Sequence, residues 1–150
     1  MGKVIASFAG TGKTYLASKY PNIADVDLGS YRWVYDGPSH LPYEQRKAMR
    51  QFAENPKWPN NYMSAILDAK SKYDLVLVSS TPEISAIIDH NFIPGDCSWD
   101  SLEKRYRERG NPERFIELFK TYFGYAIKAK GVKMMGDEFL ETALKREGLI

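Results

Sequence analysis

The stretch Lys3-Val4-Ile5-Ala6-Ser7-Phe8-Ala9-Gly10-Thr11-Gly12-Lys13-Thr14-Tyr15-Leu16-Ala17 decides the fold. Val4-Ile5-Ala6 is a short apolar run bounded by Lys3 and by small residues, the pattern of a strand buried on both faces. From Lys13 to Tyr20, Leu16, Ala17 and Tyr20 recur at helical spacing, and Pro21-Asn22 stops the helix. Strand, small-residue turn and helix thus follow one another without a linker.

Working outward, Ile23 to Asp27 alternates apolar and acidic residues and predicts a second short strand with carboxylates at its end. Pro38, Pro42, Pro56 and Pro59 then punctuate the chain and leave predicted helices at about 43–54 and 61–72. Asp74 to Ser79 holds the most continuous leucine and β-branched run, expected of a central strand covered on both faces. Thr81-Pro82-Glu83 opens a helix with Ile84, Ile87 and Ile88 on one face, and Phe92-Ile93 reads as a short strand. Trp99 to Arg109 is a charged helix, Gly110-Asn111-Pro112 interrupts it, and Phe115 to Ile127 is the strongest amphipathic helix. Val132 to Met135 is the last predicted strand. Asp137 to Glu147 is the last helix, with Phe139, Leu140, Ala143 and Leu144 on one face. Strands alternating with helices in one domain over 1–150 imply a parallel sheet in a three-layer α/β/α fold, with its ligand beyond the C-terminal strand ends.

Ser7 to Thr14 matches the phosphate-binding pattern G-x-x-x-x-G-K-[ST], except that Ser7 stands at the first glycine. Small residues let backbone N–H groups wrap a phosphate, so Ala9, Gly10, Thr11, Gly12, Lys13 and Thr14 are the expected nucleotide contacts. Lys13 supplies a point charge for the β- and γ-oxygens, and the Thr14 hydroxyl is suited to ligate Mg²⁺. The plain alternative is a glycine turn with a solvated lysine. The flanking strand and helix and the additional Gly10 favour phosphate. So does charge: Met1 to Ala24 holds Lys3, Lys13 and Lys19 and no carboxylate.

A phosphate loop does not by itself separate a kinase from an ATPase, a GTPase or a motor. The guanine-reading sequence Asn-Lys-x-Asp is absent, and the strand at 74–79 runs into Ser79-Ser80-Thr81 rather than an acidic residue. Two readings of the carboxylates at the second strand end stand side by side. Asp27 orients and deprotonates an acceptor hydroxyl, or it caps the next turn while Asp25 is a solvated strand residue. Arg105 and Arg109, four residues apart, share a helical face and either close on transferring phosphates or pair with Asp100, Glu103 and Glu108. Tyr31, Trp33, Tyr35, Tyr43, Trp58 and Tyr62 gather where an acceptor is expected. Trp33 and Trp58 can stack on a base, and Arg32 or Arg46 can hold its phosphate; ordinary packing is the competing account.

Composition narrows the function classes. In 150 residues, 21 Lys+Arg against 19 Asp+Glu leave a net charge of +2, which argues against a uniformly basic nucleic-acid binder. Cys97 stands alone beside His40 and His90, so neither a disulfide nor a structural zinc site is expected and a reducing, cytoplasmic setting fits. No apolar run is long enough for a membrane span or a signal peptide.

Taken in order, the glycine loop, the Asp25-Val26-Asp27 strand end followed by Tyr31-Arg32-Trp33, the segment Asn55 to Tyr62, the strand at 74–80 and Arg105-Tyr106-Arg107-Glu108-Arg109-Gly110-Asn111 resemble small P-loop kinases of the nucleoside and nucleotide type, including phage and bacterial forms. The resemblance implies a P-loop NTPase core with a helical substrate cap at about 36–72 and an arginine-bearing lid at about 98–114. It implies ATP and Mg²⁺ as cofactors, Lys13, Asp27, Arg105 and Arg109 in catalysis, and the loop after the last predicted strand, Met135-Gly136-Asp137, beside the adenine. The expected acceptor is a nucleotide or nucleoside, including deoxy- or modified pyrimidines. A hydroxymethylated pyrimidine within DNA is the alternative, reached through a basic face carrying Lys120, Lys128, Lys130 and Lys133. A nucleotide-dependent binding module without catalysis is the third reading.

Overall fold

A computed structural model of the chain describes residues 2–8, 11–35, 42, 52–93, 99–126, 132–134 and 139–150. Five strands, β1 (Lys3–Ser7), β2 (Ile23–Asp25), β5 (Leu75–Ser79), β6 (His90–Ile93) and β7 (Val132–Met134), form one sheet in the order β2-β5-β1-β6-β7, and every pairing in it is parallel. The remaining two strands, β3 (Trp33–Tyr35) and β4 (Phe52–Glu54), form a separate antiparallel pair.

The helices are α1 (Lys13–Lys19), α2 (Gly29–Arg32), α3 (Asn60–Lys72), α4 (Trp99–Glu108), α5 (Glu113–Ala126) and α6 (Leu140–Arg146), with a 3-10 helix over Pro82–Ile87. β1 and β5 are buried along almost their whole length, as their unbroken apolar runs predict. Successive side chains of β1 go to opposite faces. Val4 and Ala6 pack with Tyr62, Ile66 and Ala69 of α3 and Ile84 of the 3-10 helix. Ile5 packs with Leu16 of α1 and Leu140, Ala143 and Leu144 of α6. Helices therefore cover both faces of the parallel sheet. A third cluster joins Phe8 and Ile93 to Leu102 and Tyr106 of α4 and Ile116, Phe119 and Phe123 of α5.

From β1 the chain crosses by α1 over β5 to β2 on one side, whereas β6, which flanks β1 on the opposite side, pairs with β7. The C-terminal end of β1 thus lies at a switch point of the sheet, the position at which open α/β sheets bind ligands. The glycine loop begins there.

Several expected elements differ. Phe52–Glu54 is not the end of a helix over 43–54 but strand β4, because Trp33-Val34-Tyr35 gives it a ladder partner, with Trp33 opposite Glu54 and Tyr35 opposite Phe52; residues 43–51 lie outside the described residues. The cap expected at 36–72 is therefore described only from 52 onward, as β4 and α3. The second strand stops at Asp25, two residues early, although the Val26 N–H still donates to Leu77. The helix after Thr81 is 3-10. The last helix begins at Leu140, so Phe139 precedes its first turn and is 64% exposed rather than facing the core.

Candidate functional site

Gly12, the residue before α1, has φ +100°, a left-handed conformation that a side chain would strain. This conformation turns the chain from β1 into α1 and places Lys13 and Thr14 on the helix's first turn. Thr11 ties the turn inward, its hydroxyl donating to the Phe8 carbonyl at 2.8 Å. Ser7, the departure from the glycine pattern, is fully buried and donates its hydroxyl to the Phe92 carbonyl of β6 at 2.9 Å. Its side chain is used inside the sheet. A glycine there would lose that tie between β1 and β6.

Lys13 donates to the carbonyl of Phe8 at 2.8 Å. Burial pushes its ammonium down to about 8, opposed by the negative charges of Asp25 and Asp27 and assisted by the positive charge of Arg109. The same balance places four sequence-predicted groups in one electrostatic neighbourhood: Lys13, both carboxylates of the β2 end, and an arginine from the far helix α4 and its exit.

Thr14 donates its hydroxyl to Asp25 at 2.9 Å. Burial and, to a lesser degree, the charge of Asp27 raise the Asp25 carboxyl, against the Thr14 hydrogen bond and Lys13, which stabilise its anion. Asp25, the less favoured of the two aspartates in the sequence, is thus the one beside the candidate metal ligand. Asp27 is exposed and accepts from the Ser30 hydroxyl at 3.1 Å, while its carbonyl accepts from the Ser30 N–H. It holds the first turn of α2 and also faces Lys13.

Behind these carboxylates stands Tyr62. Its hydroxyl donates to Val26 at 2.8 Å and accepts from the Ser79 N–H at 3.2 Å, bridging the ends of β2 and β5. Burial, with smaller contributions from the charges of Asp27 and Asp25, holds this phenol well above its ordinary range. Its ring stacks on Trp58 with centroids 5.4 Å apart and lies 5.5 Å from Tyr31.

Beyond that ring lies Arg32. Its guanidinium sits 5.0, 5.1 and 5.2 Å from the ring centroids of Trp33, Trp58 and Tyr122, and its side chain is only 12% exposed. Glu54 and Glu83 approach it at 3.5 and 3.9 Å. Arg32, Trp33 and Trp58, predicted as acceptor contacts, are therefore one cluster. The sequence reading missed three members, Glu54, Glu83 and Tyr122, since no local spacing links positions 32, 54, 83 and 122.

On α4, Arg107 pairs with Glu103 at 3.5 Å and with Glu113 across the helix break, and Lys104 pairs with Glu108 at 4.0 Å. Gly110, at φ +76°, and the Asn111 N–H bond to the Tyr106 carbonyl close α4. Arg105 Nη1 is buried with no hydrogen-bond partner among the described residues. Arg105 and Arg109 both lie near the buried Tyr106 hydroxyl, whose pKa burial pushes far up against their opposing charges.

Ala9, Gly10 and Arg46 lie outside the described residues, as do Met135-Gly136-Asp137 and, of the lysine face, Lys128 and Lys130. Exposed Phe139 sits beside the glycine turn, 3.8 Å from where a side chain at Gly12 would begin. Among the described residues no helix is long and apolar enough to cross a membrane, and no cluster of three or more His, Cys, Asp or Glu forms a metal site. In comparisons with known proteins, no family model and no curated protein matches the chain.

Proposed function

We propose that the protein is an ATP- and Mg²⁺-dependent phosphotransferase of the P-loop kinase type, acting on a nucleotide or nucleoside. The observation that carries this reading is the meeting of Lys13, the Thr14–Asp25 pair, Asp27 and the charge of Arg109 at the C-terminal end of β1. A glycine loop that opens a helix supplies backbone N–H groups and a positive partial charge, and Lys13 adds a full one.

Thr14 and Asp25 fit Mg²⁺: both offer hard oxygen donors, they lie one hydrogen bond apart, and a cation would offset the burial that disfavours the Asp25 anion. When bound, Mg²⁺ neutralises charge on the β- and γ-phosphates. Asp25 would then supply the carboxylate that is missing after Val78.

The transfer step follows from the remaining groups. The acceptor oxygen, of a nucleoside hydroxyl or a nucleotide phosphate, bonds to the γ-phosphorus, the bond from that phosphorus to the bridging oxygen breaks, ADP leaves, and where the acceptor is a hydroxyl its proton passes to Asp27. Arg105 and Arg109 stabilise charge on the equatorial oxygens. Lys13, released from the Phe8 carbonyl, follows the β- and γ-oxygens.

An ADP-coupled screen tests this reading with free nucleosides, nucleotides and hydroxymethyl-pyrimidine DNA as acceptors. ADP release that requires one of the free acceptors supports it. Release only with modified DNA assigns the acceptor to the polymer. Tight ATP binding with no acceptor-dependent ADP overturns the kinase reading in favour of a binding module.

A further inference from the structure

The Arg32 cluster lies one aromatic ring beyond Tyr62, which itself touches the β2 end that carries Asp25 and Asp27. Most buried polar groups in folded proteins find partners, so groups left bare next to a candidate site call for a physical explanation. Here the bare groups are of both kinds. Arg32 Nε and Nη1 are donors, Glu83 Oε2 is an acceptor and the Tyr122 hydroxyl is either, all buried without a hydrogen-bond partner among the described residues. Tyr122 is 4% exposed.

We propose that Arg32 and Glu83 form a base-reading pair, which recognises the hydrogen-bonding edge of the acceptor's nucleobase rather than its phosphate. This deepens the kinase reading and rests on it for the word acceptor, but the binding it claims can be measured without any transfer.

Charge decides between the two ligands. One guanidinium with two carboxylates within 4 Å leaves the cluster at −1, a poor host for a phosphate dianion. Geometry agrees. Three aromatic rings surround the Arg32 guanidinium, and its Nε and Nη1 remain without hydrogen-bond partners among the described residues. Its Nη1 stands 3.9 Å from Glu83 Oε1, too far for a hydrogen bond between them. A neutral planar edge that presents an acceptor beside a donor in the matching arrangement, which differs from one nucleobase to another, satisfies the guanidinium and the carboxylate together. A site built on such groups rejects a base that leaves them unpaired more strongly than a purely apolar slot can. α5, which contributes Tyr122, packs on the 3-10 helix that carries Glu83, so the pair is held from both sides.

The test is a tryptophan-fluorescence titration, since Trp33 and Trp58 both lie against Arg32. Deoxynucleosides of adenine, guanine, cytosine, thymine and uracil, and their 5′-monophosphates, are titrated into the wild type and into Glu83→Gln and Arg32→Lys. Glu83→Gln keeps shape and one acceptor while adding a donor. The pair predicts at least a tenfold spread of wild-type affinity among bases, shrinking to about threefold or less in Glu83→Gln, with the nucleotide-to-nucleoside ratio unchanged. Arg32→Lys weakens nucleosides and nucleotides alike. Absence of binding by the whole panel overturns the proposal. It is also overturned if nucleotides bind over nucleosides through Arg32 while the base ranking survives Glu83→Gln. Base-selective binding through Glu83 with no acceptor in the coupled screen leaves the pair standing and removes the kinase reading.

Discussion

Lys13 carries the sharpest consequences at the scale of single residues. Burial lowers its pKa from 10.5 to about 8, so between these values the free folded protein holds a neutral amine where the unfolded chain holds a proton. The sign follows directly: this group makes folding more favourable as pH rises from 8 towards 10.5, whereas polyphosphate binding, which favours the ammonium, weakens over the same range. Calorimetry of Mg²⁺–ATP binding in buffers of different ionisation enthalpy should find proton uptake at pH 9 and little at pH 6.5; equal uptake at both contradicts the assignment. Lys13→Ala should reduce transfer by about 100-fold or more. Asp25→Asn should raise the Mg²⁺ needed for half-maximal turnover, while Asp27→Asn should keep ATP binding and lose roughly 100-fold in kcat. If Asp27→Asn turns over normally, its bond with Ser30 is its whole role. The loop residues were legible in the sequence because neighbours along the chain fix their chemistry. Ser7 was legible as an anomaly, and its partner, the Phe92 carbonyl, emerged only when β6 was laid beside β1. Glu83 gave no signal, since its meaning comes from residues about fifty positions earlier and forty later.

Among the elements, α4 and its exit carry the arginines and α6 braces the loop. Arg105→Ala and Arg109→Ala should each lower kcat about tenfold or more with ATP affinity little changed, as expected of groups that meet charge developing in transfer. Unchanged kcat in both would leave α4 a structural helix whose Arg107 pairs with Glu103 and Glu113. On the other side of the sheet Glu141 receives Lys19 at 2.7 Å, Lys145 at 3.0 Å and the Tyr20 hydroxyl, tying α6 to α1. These partners, the Lys19 hydrogen bond first, hold its carboxyl down to about 2 against a usual 4.5. Its contribution is present above pH 4.5 and is lost as pH falls through about 2. Thermal melts of Glu141→Gln should therefore lie below wild type at pH 7 and converge with it near pH 2; melts that differ equally at both values contradict this. Periodicity located α3, α4 and α5, whose apolar faces are long. It misread 52–54, where three residues take their conformation from pairing with β3 rather than from their own spacing.

For the whole molecule, one alternation of strand and helix was enough to predict a parallel sheet with helices on both faces, because a buried parallel strand has few other sequence patterns. The order β2-β5-β1-β6-β7 was not legible, since neighbours in it are distant in sequence. That order sets the glycine loop at a switch point and lets β2, β5 and the 3-10 helix line one side of it. The near-balance of 21 positive and 19 negative charges then resolves into two local fields. At the loop the charge of Arg109 is felt by Lys13, and the arginine beyond Tyr62 is outnumbered by its glutamates. On the proposed reading, one serves a polyphosphate and the other a neutral base. The most direct measurement follows the fate of a labelled γ-phosphate with Mg²⁺–ATP and the preferred free acceptor. The account predicts label on the acceptor, little released as inorganic phosphate, and loss of both in Lys13→Ala. Label released as inorganic phosphate at the same rate with or without any acceptor would contradict it.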